Sequence, residues 1–179
     1  MPFRPFAFAF AALCLAAAPS LHAQPFEPKG AAGGWSVFYN AATGGCFIEK
    51  AQGPLVVQLG TEAGMLGLGA DAAGEGGENF GFIAVYTDNP EAEIEHGAIW
   101  PVVIEIDGDV FAGEAKGVVR GDVRGGYIVS SDPTFAEDIA RGDVMNVVTP
   151  AGAVVEIDLT GTMAAIEALT ECQMEASES

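Results

Sequence analysis

The stretch "WPVVIEIDGDVFAGEA", residues 100–115, constrains the fold more than any other part of the chain. Trp100, Val102, Ile104 and Ile106 recur at every second position, with Glu105 and Asp107 between and after them. Successive strand side chains point to opposite faces, so this alternation buries the apolar set and leaves the acids to water. Asp107-Gly108 falls between two such runs, where that dipeptide is a strong signal for a two-residue hairpin.

The same grammar recurs along the chain. "WSVFYN" (35–40) and "CFIEKA" (46–51) flank the turn-like "AATGG", and "PLVVQLG" (54–60) and "MLGLGA" (65–70) follow. After the acidic stretch "DAAGEGGEN" (71–79) come "FGFIAVYT" (80–87), "YIVS" (127–130), "DVMNVVT" (143–149) and "AVVEIDL" (153–159). These make roughly nine or ten candidate strands with turn residues between them, and no alternation of strand and helix. The expected class is mainly β, an antiparallel β-sandwich or barrel.

Two short helices are expected to interrupt the strands, the last one C-terminal. "SDPTFAEDIARG" offers Ser131 or Asp132 as N-cap, Pro133 in the first turn and Gly142 just past the end. The closing helix begins between Thr160 and Thr162 and aligns Met163, Ile166 and Leu169, with Cys172 continuing the series.

The beginning of the chain bears on compartment. "MPFRPFAFAFAALCLAAAPSLHAQ" has one basic residue, Arg4, then an apolar run of signal-peptide length, and Leu21-His22-Ala23 suits cleavage before Gln24. The run is shorter than the roughly 20 residues that span a membrane, so no transmembrane segment is expected. Cys14 does not read as a lipid anchor, because Leu13 precedes it and the apolar run continues past it. The expected organisation is a cleaved signal at 1–23, a flexible segment at 24–34, one mainly-β domain at 35–173 and a disordered tail at 174–179. The expected location is the bacterial periplasm or outside the cell.

Cys46 and Cys172 remain of the three cysteines. In an oxidising compartment such a pair reads as a disulfide, here clasping an early strand to the last helix. Formal net charge is −18, with 25 acidic residues against seven basic ones. A chain this acidic is repelled by nucleic acid and by anionic membrane surfaces, which removes both as partners.

Residues able to carry chemistry are few. His96 is the one histidine beyond the signal, so a two-histidine metal site is excluded and a serine triad could form only around it. In "TDNPEAEIEHGAIW", Glu91, Glu93 and Glu95 share a face if the segment is extended, and with Asp88 they could form a calcium-type oxygen site. The competing reading is a solvated acidic edge after the Asn89-Pro90 turn. "RGDV" occurs at Arg120–Val123 and again at Arg141–Val144. It resembles the integrin-recognition tripeptide, yet each copy also stands where turn chemistry places Gly-Asp ahead of a strand. "EIDGDVFAGE" lacks the spacing of a calcium loop, and the glycines of "GMLGLGADAAGEGG" lack the following βαβ unit of a dinucleotide site. No catalytic constellation is found.

"FAEDIARGDVMNVVTPAGAVVEIDLTGTMAAIEALTEC" has the order short helix, G-x-x-M-x-V strand, then L-T-G-T-x-x-A-I-x-A-L. It resembles the closing segment of the invasion-associated locus B family of exported proteobacterial proteins. "GGWSVFYNAATGGCFIE" is similar to that family's opening tryptophan and cysteine strands. The resemblance implies an envelope protein of mainly β structure without a known enzymatic activity, in which Trp35, Cys46 and Gly161 have structural roles. The acidity departs from the basic surface expected of host-contacting members and points to a periplasmic role. The reading is a noncatalytic envelope protein that binds a protein or small ligand, or supports the envelope, without a cofactor. The alternatives are a calcium-binding module using acidic loops, or a hydrolase using a carboxylate pair.

Overall fold

A computed structural model describes residues 26–61, 81–130, 132–149 and 152–178. The expected signal peptide, the "MLGLGA" strand and the acidic loop 71–79 lie outside these residues. Ten strands form one antiparallel sheet: β1 (Phe26–Ala32), β2 (Trp35–Asn40), β3 (Gly45–Gln52), β4 (Leu55–Thr61), β5 (Gly81–Thr87), β6 (Ile99–Ile106), β7 (Asp109–Arg120), β8 (Val123–Ser130), β9 (Val144–Val148) and β10 (Val154–Asp158). Helix α1 (Pro133–Arg141) joins β8 to β9, and α2 (Thr162–Ser177) ends the described chain.

The strand order is β1-β2-β3-β4-β5-β8-β7-β6-β9-β10. The mainly-β antiparallel class with a C-terminal helix is thus present. The sheet stays open, with β1 and β10 as its two edges. Short turns join β1 to β2, β2 to β3, β3 to β4, β6 to β7, β7 to β8 and β9 to β10. At Asp107-Gly108 both residues have positive φ, 48° and 104°, and Ile106 pairs with Asp109, as a two-residue turn of the mirror-image type requires.

Pleating sorts the side chains into two cores. On β3, Cys46 and Ile48 join a large cluster with Trp35, Ile104, Met145, Ile157 and Leu159, while Phe47 points the other way. There it meets the rings of Phe38, stacked at 5.3 Å, and Phe26, edge-on at 5.1 Å, beside Phe82 and Tyr127. On β6 the expected alternation holds, with Val102, Ile104 and Ile106 buried and Pro101, Val103 and Glu105 exposed.

Both helices cover the larger cluster. The Asp132 carboxylate accepts the Thr134 amide at 2.9 Å as N-cap, and Gly142 closes α1. Phe135 and Ile139, one turn apart, enter the core, and Phe135 meets Phe111 at 5.0 Å. Helix α2 packs on β1, β2, β3 and α1 and is bonded to the sheet by Cys46–Cys172. Its start is fitted closely: Gly161, at φ 83°, lies against Gly33 in the β1–β2 turn, and a Cβ on either would collide with the other's carbonyl.

Three expectations need correction. Residues 26–32 of the segment expected to be flexible form β1, paired with β2 on both sides of a register break. Its sequence, "FEPKGAA", has no apolar alternation, because it is an exposed edge held by backbone hydrogen bonds. The Pro, the Lys and a register break between Pro28 and Gly30 are features of protected sheet edges. Residues 174–177 of the expected tail are the last turn of α2. Met163 does not share the buried face of that helix. It is nine residues from Cys172, which at about 100° per residue puts the two on opposite sides. Thr162, Ala165, Leu169 and Cys172 form the buried stripe, and Met163 is exposed.

Side chains close the sheet where backbone pairing does not. Gln52 of β3 clamps the edge residue Asp158, its amide donating to the Asp158 carbonyl (2.8 Å) and its oxygen accepting the Asp158 amide (2.9 Å). Lys50 donates to the Asp158 carboxylate at 2.7 Å and to the Thr160 carbonyl at 3.2 Å, and its ammonium lies 5.5 Å from the centre of the Trp35 ring.

The Lys50 hydrogen bond, followed by those from Thr160, holds the Asp158 carboxyl well below its usual 3.8, at about 2. Its contribution to stability is therefore complete above about pH 4 and disappears as pH falls towards 2. Acid unfolding of Asp158→Asn, compared with the parent by circular dichroism, should show a smaller loss over that window. The disulfide closes a loop of 126 residues. Replacing both cysteines by serine should lower unfolding stability by about 2–5 kcal/mol in urea titrations. An unchanged midpoint would show that the bond clasps nothing.

Candidate functional site: a covered apolar chamber

The strand order dictates the site. Leaving β5, the chain cannot enter β6 directly, because β8 and β7 lie between them. Residues 88–98 therefore cross the ends of β8 and β7, at the end of the sheet opposite α1. They are held there at four points. Gly97 N–H donates to the Gly117 carbonyl (2.9 Å) and Gly117 N–H to the Ala98 carbonyl (2.8 Å). Val119 N–H donates to His96 Nδ1 (3.3 Å), and Arg124 Nη1 to the Pro90 carbonyl (3.1 Å).

Under this cover lies a chamber of about 200 Å³. Every strand from β4 to β10 contributes to it, with Leu55, Val85, Trp100, Ala115, Ile128, Val147 and Val155 as one residue from each. Thr87 and Thr149 are the polar exceptions on its inner wall, and both hydroxyls are engaged: Thr87 accepts the Asn89 amide (3.1 Å) and Thr149 donates to the Ala153 carbonyl (3.3 Å). Tyr86 reaches the wall from the second core, and burial pushes its phenol up to about 12, so it is neutral at physiological pH. The chamber therefore offers dispersion and desolvation, with no group that could act as acid or base.

Trp100 is admitted because its neighbours lack side chains. A Cβ at Gly117 would lie 2.9 Å from the indole ring, and one at Gly126 3.2 Å from it. The indole also borders a rim concavity of about 540 Å³, lined by Pro90, Glu93, Glu95, Ala98 and Arg124 and sharing Ala92 and Ile94 with the chamber.

The acidic stretch acquires its meaning from this arrangement. Glu91, Glu93 and Glu95 are exposed, while Ala92 and Ile94 between them are half-buried and face the chamber. Asp88 is exposed at the start of the cover. Among the described residues, no three His, Cys, Asp or Glu side chains are gathered where they could hold a metal ion. The ring of His96 is a prop for the cover, accepting the Val119 amide. The first RGD triplet forms an exposed two-residue hairpin tip between β7 and β8, with Gly121 at φ 57°. In the second, Gly142 is buried against Ile106 as the cap of α1, so that triplet is part of the fold.

A second apolar cleft, of about 390 Å³, lies between α1, α2, β4 and β5. Its rim at Thr61 and Gly81 borders residues outside the described set. Sequence reasoning did not find the chamber or Arg124. The signals available were the glycines at 117, 125 and 126, which mark close approach, and the apolar residues between the glutamates. Gly126→Val should displace the Trp100 ring, costing about 1–3 kcal/mol in stability and changing the near-ultraviolet circular dichroism of tryptophan. An unaltered spectrum would show that the indole is not packed on β8.

No protein-family model and no curated protein matches the sequence. Among solved structures, the chain is similar to invasion associated protein B from Bartonella henselae, at 15% sequence identity and a TM-score of 0.55. The match covers 83% of this chain and 98% of that one. The likeness is one of fold, and it extends well beyond the two ends on which the motif resemblance rests.

Proposed function

We propose that the protein is a noncatalytic binding module of the cell envelope, holding a small apolar molecule in the chamber beneath residues 88–98. The observation that carries this reading is an apolar space walled by seven strands and partly covered by a segment without regular secondary structure. Such a space is of a size to take a small molecule, since an engineered cavity of about 150 Å³ accepts a benzene ring. The wall supports binding over catalysis: its threonine hydroxyls are committed, the Tyr86 phenol is neutral and His96 is engaged in holding the cover. Export is supported by the signal-like beginning of the sequence, by the disulfide, a bond favoured in oxidising compartments, and by the fold shared with invasion associated protein B. The strongly acidic surface favours a periplasmic role over contact with anionic host membranes.

The test uses protein recovered from a periplasmic fraction, titrated with 1-octanol while tryptophan fluorescence is followed. Saturable one-to-one binding is expected, with a rise in melting temperature as ligand concentration passes the dissociation constant. Ala115→Leu, which places three more carbons in the chamber, should fold and lose this response. A linear, unsaturable signal, or equal binding by Ala115→Leu, would remove the chamber as the site.

A further inference from the structure

The chamber selects for a tail; the rim selects for a head. Arg124, on β8, lines the rim concavity, which shares Ala92, Ile94 and the Trp100 indole with the chamber. Its guanidinium carries five N–H donors. Nη1 is bonded to the Pro90 carbonyl, and Nε is buried with no acceptor. Among the described residues, Arg124 forms no ion pair with any carboxylate. A covered, unmatched donor on a charged group is costly and is uncommon in native proteins. An arginine fork in this state fits a planar anionic acceptor, which a carboxylate meets with two parallel hydrogen bonds.

From this juxtaposition we infer that the ligand is a short amphipathic monocarboxylate, its alkyl or aryl tail in the chamber and its carboxylate on Arg124. The inference rests on the chamber being a binding site. Chamber size limits the tail to a single ring or an alkyl chain of about six to eight carbons, judged against the benzene-sized cavity. Arg124 lies against the first residues of the cover, through Pro90. Ala92 and Ile94 line both the chamber and the concavity that holds Arg124, so a ligand spanning the two lies against them. Glu93 and Glu95 line the same concavity and oppose an anion. Both are exposed, so water and salt screen them, whereas the partly covered arginine is screened much less. The head group is thus chosen by one cation against a weak acidic background, which keeps affinity modest and sensitive to ionic strength.

Octanoate and 1-octanol, which share a tail length and differ in the head, separate the two ideas. Isothermal titration at pH 7.5 should give octanoate at least about tenfold tighter binding than octanol. Arg124→Gln should abolish that preference, read as the ratio of octanoate to octanol affinity in the same variant, and Arg124→Lys should restore part of it by keeping the charge without the fork. Glu93→Gln with Glu95→Gln should tighten octanoate and leave octanol unchanged. Equal binding of the two compounds by the parent, or a preference that survives Arg124→Gln, would overturn the carboxylate assignment and leave the chamber standing. Failure of both compounds to bind would overturn the chamber and the assignment together.

Discussion

The order β5-β8-β7-β6-β9 is the constraint from which the rest of the molecule follows. The meander β6-β7-β8 is laid down in reverse between β5 and β9, so the chain must cross two strand ends twice, once at each end of the sheet. The crossing from β8 to β9 uses α1, whose Phe135 and Ile139 reach into the core. The crossing from β5 to β6 uses residues 88–98, which contribute only Ala92 and Ile94 to the interior. A helix one turn per 3.6 residues wide supplies a broad apolar stripe, whereas a short extended segment supplies alternate side chains. The end bearing α1 keeps an apolar cleft between the helices and the sheet, and the other end holds the chamber under an irregular cover.

The open sheet poses the second physical problem. Edge strands present unpaired backbone groups that invite association with other chains. At β1 the remedy is a proline, a lysine and a bulge; at β10 it is the clamp of Gln52 and Lys50 on Asp158. The clamp draws the last strand towards β3, the strand that Cys46 ties to α2, so disulfide and seam act on the same element from two sides. Neither contact is large alone. The same Gln52 pairs with Leu55 of β4, and Leu55 and Val155 of β10 both line the chamber.

Strands with an apolar alternation were legible from residues alone, β6 most clearly, as were α1, with its cap narrowed to Ser131 or Asp132, and the Cys46–Cys172 pair. β1 was not, because its order comes from backbone hydrogen bonds to β2 and its side chains are almost all exposed. The buried stripe of α2 was misjudged at Met163, since spacing by three drifts around a helix of 3.6 residues per turn. At the site, the glutamates at 91, 93 and 95 attracted notice for their charge, although the positions between them do the covering. Arg124, inside "GDVRGGY", gave no signal, because its significance depends on the carbonyl of Pro90 and the indole of Trp100 lying beside it.

What the sequence by itself determined is the set of local structures: period-two strands, mirror-image turns at Asp-Gly, a capped helix and a cysteine pair. These depend on backbone sterics, side-chain periodicity and redox setting, all of which are encoded within a few residues of each other or in the compartment. Only the tertiary structure decided the strand order, the open edge closed by Lys50 and Gln52, and the chamber with an arginine at its rim. Those depend on which strands become neighbours, a choice made by long-range packing that no local pattern records.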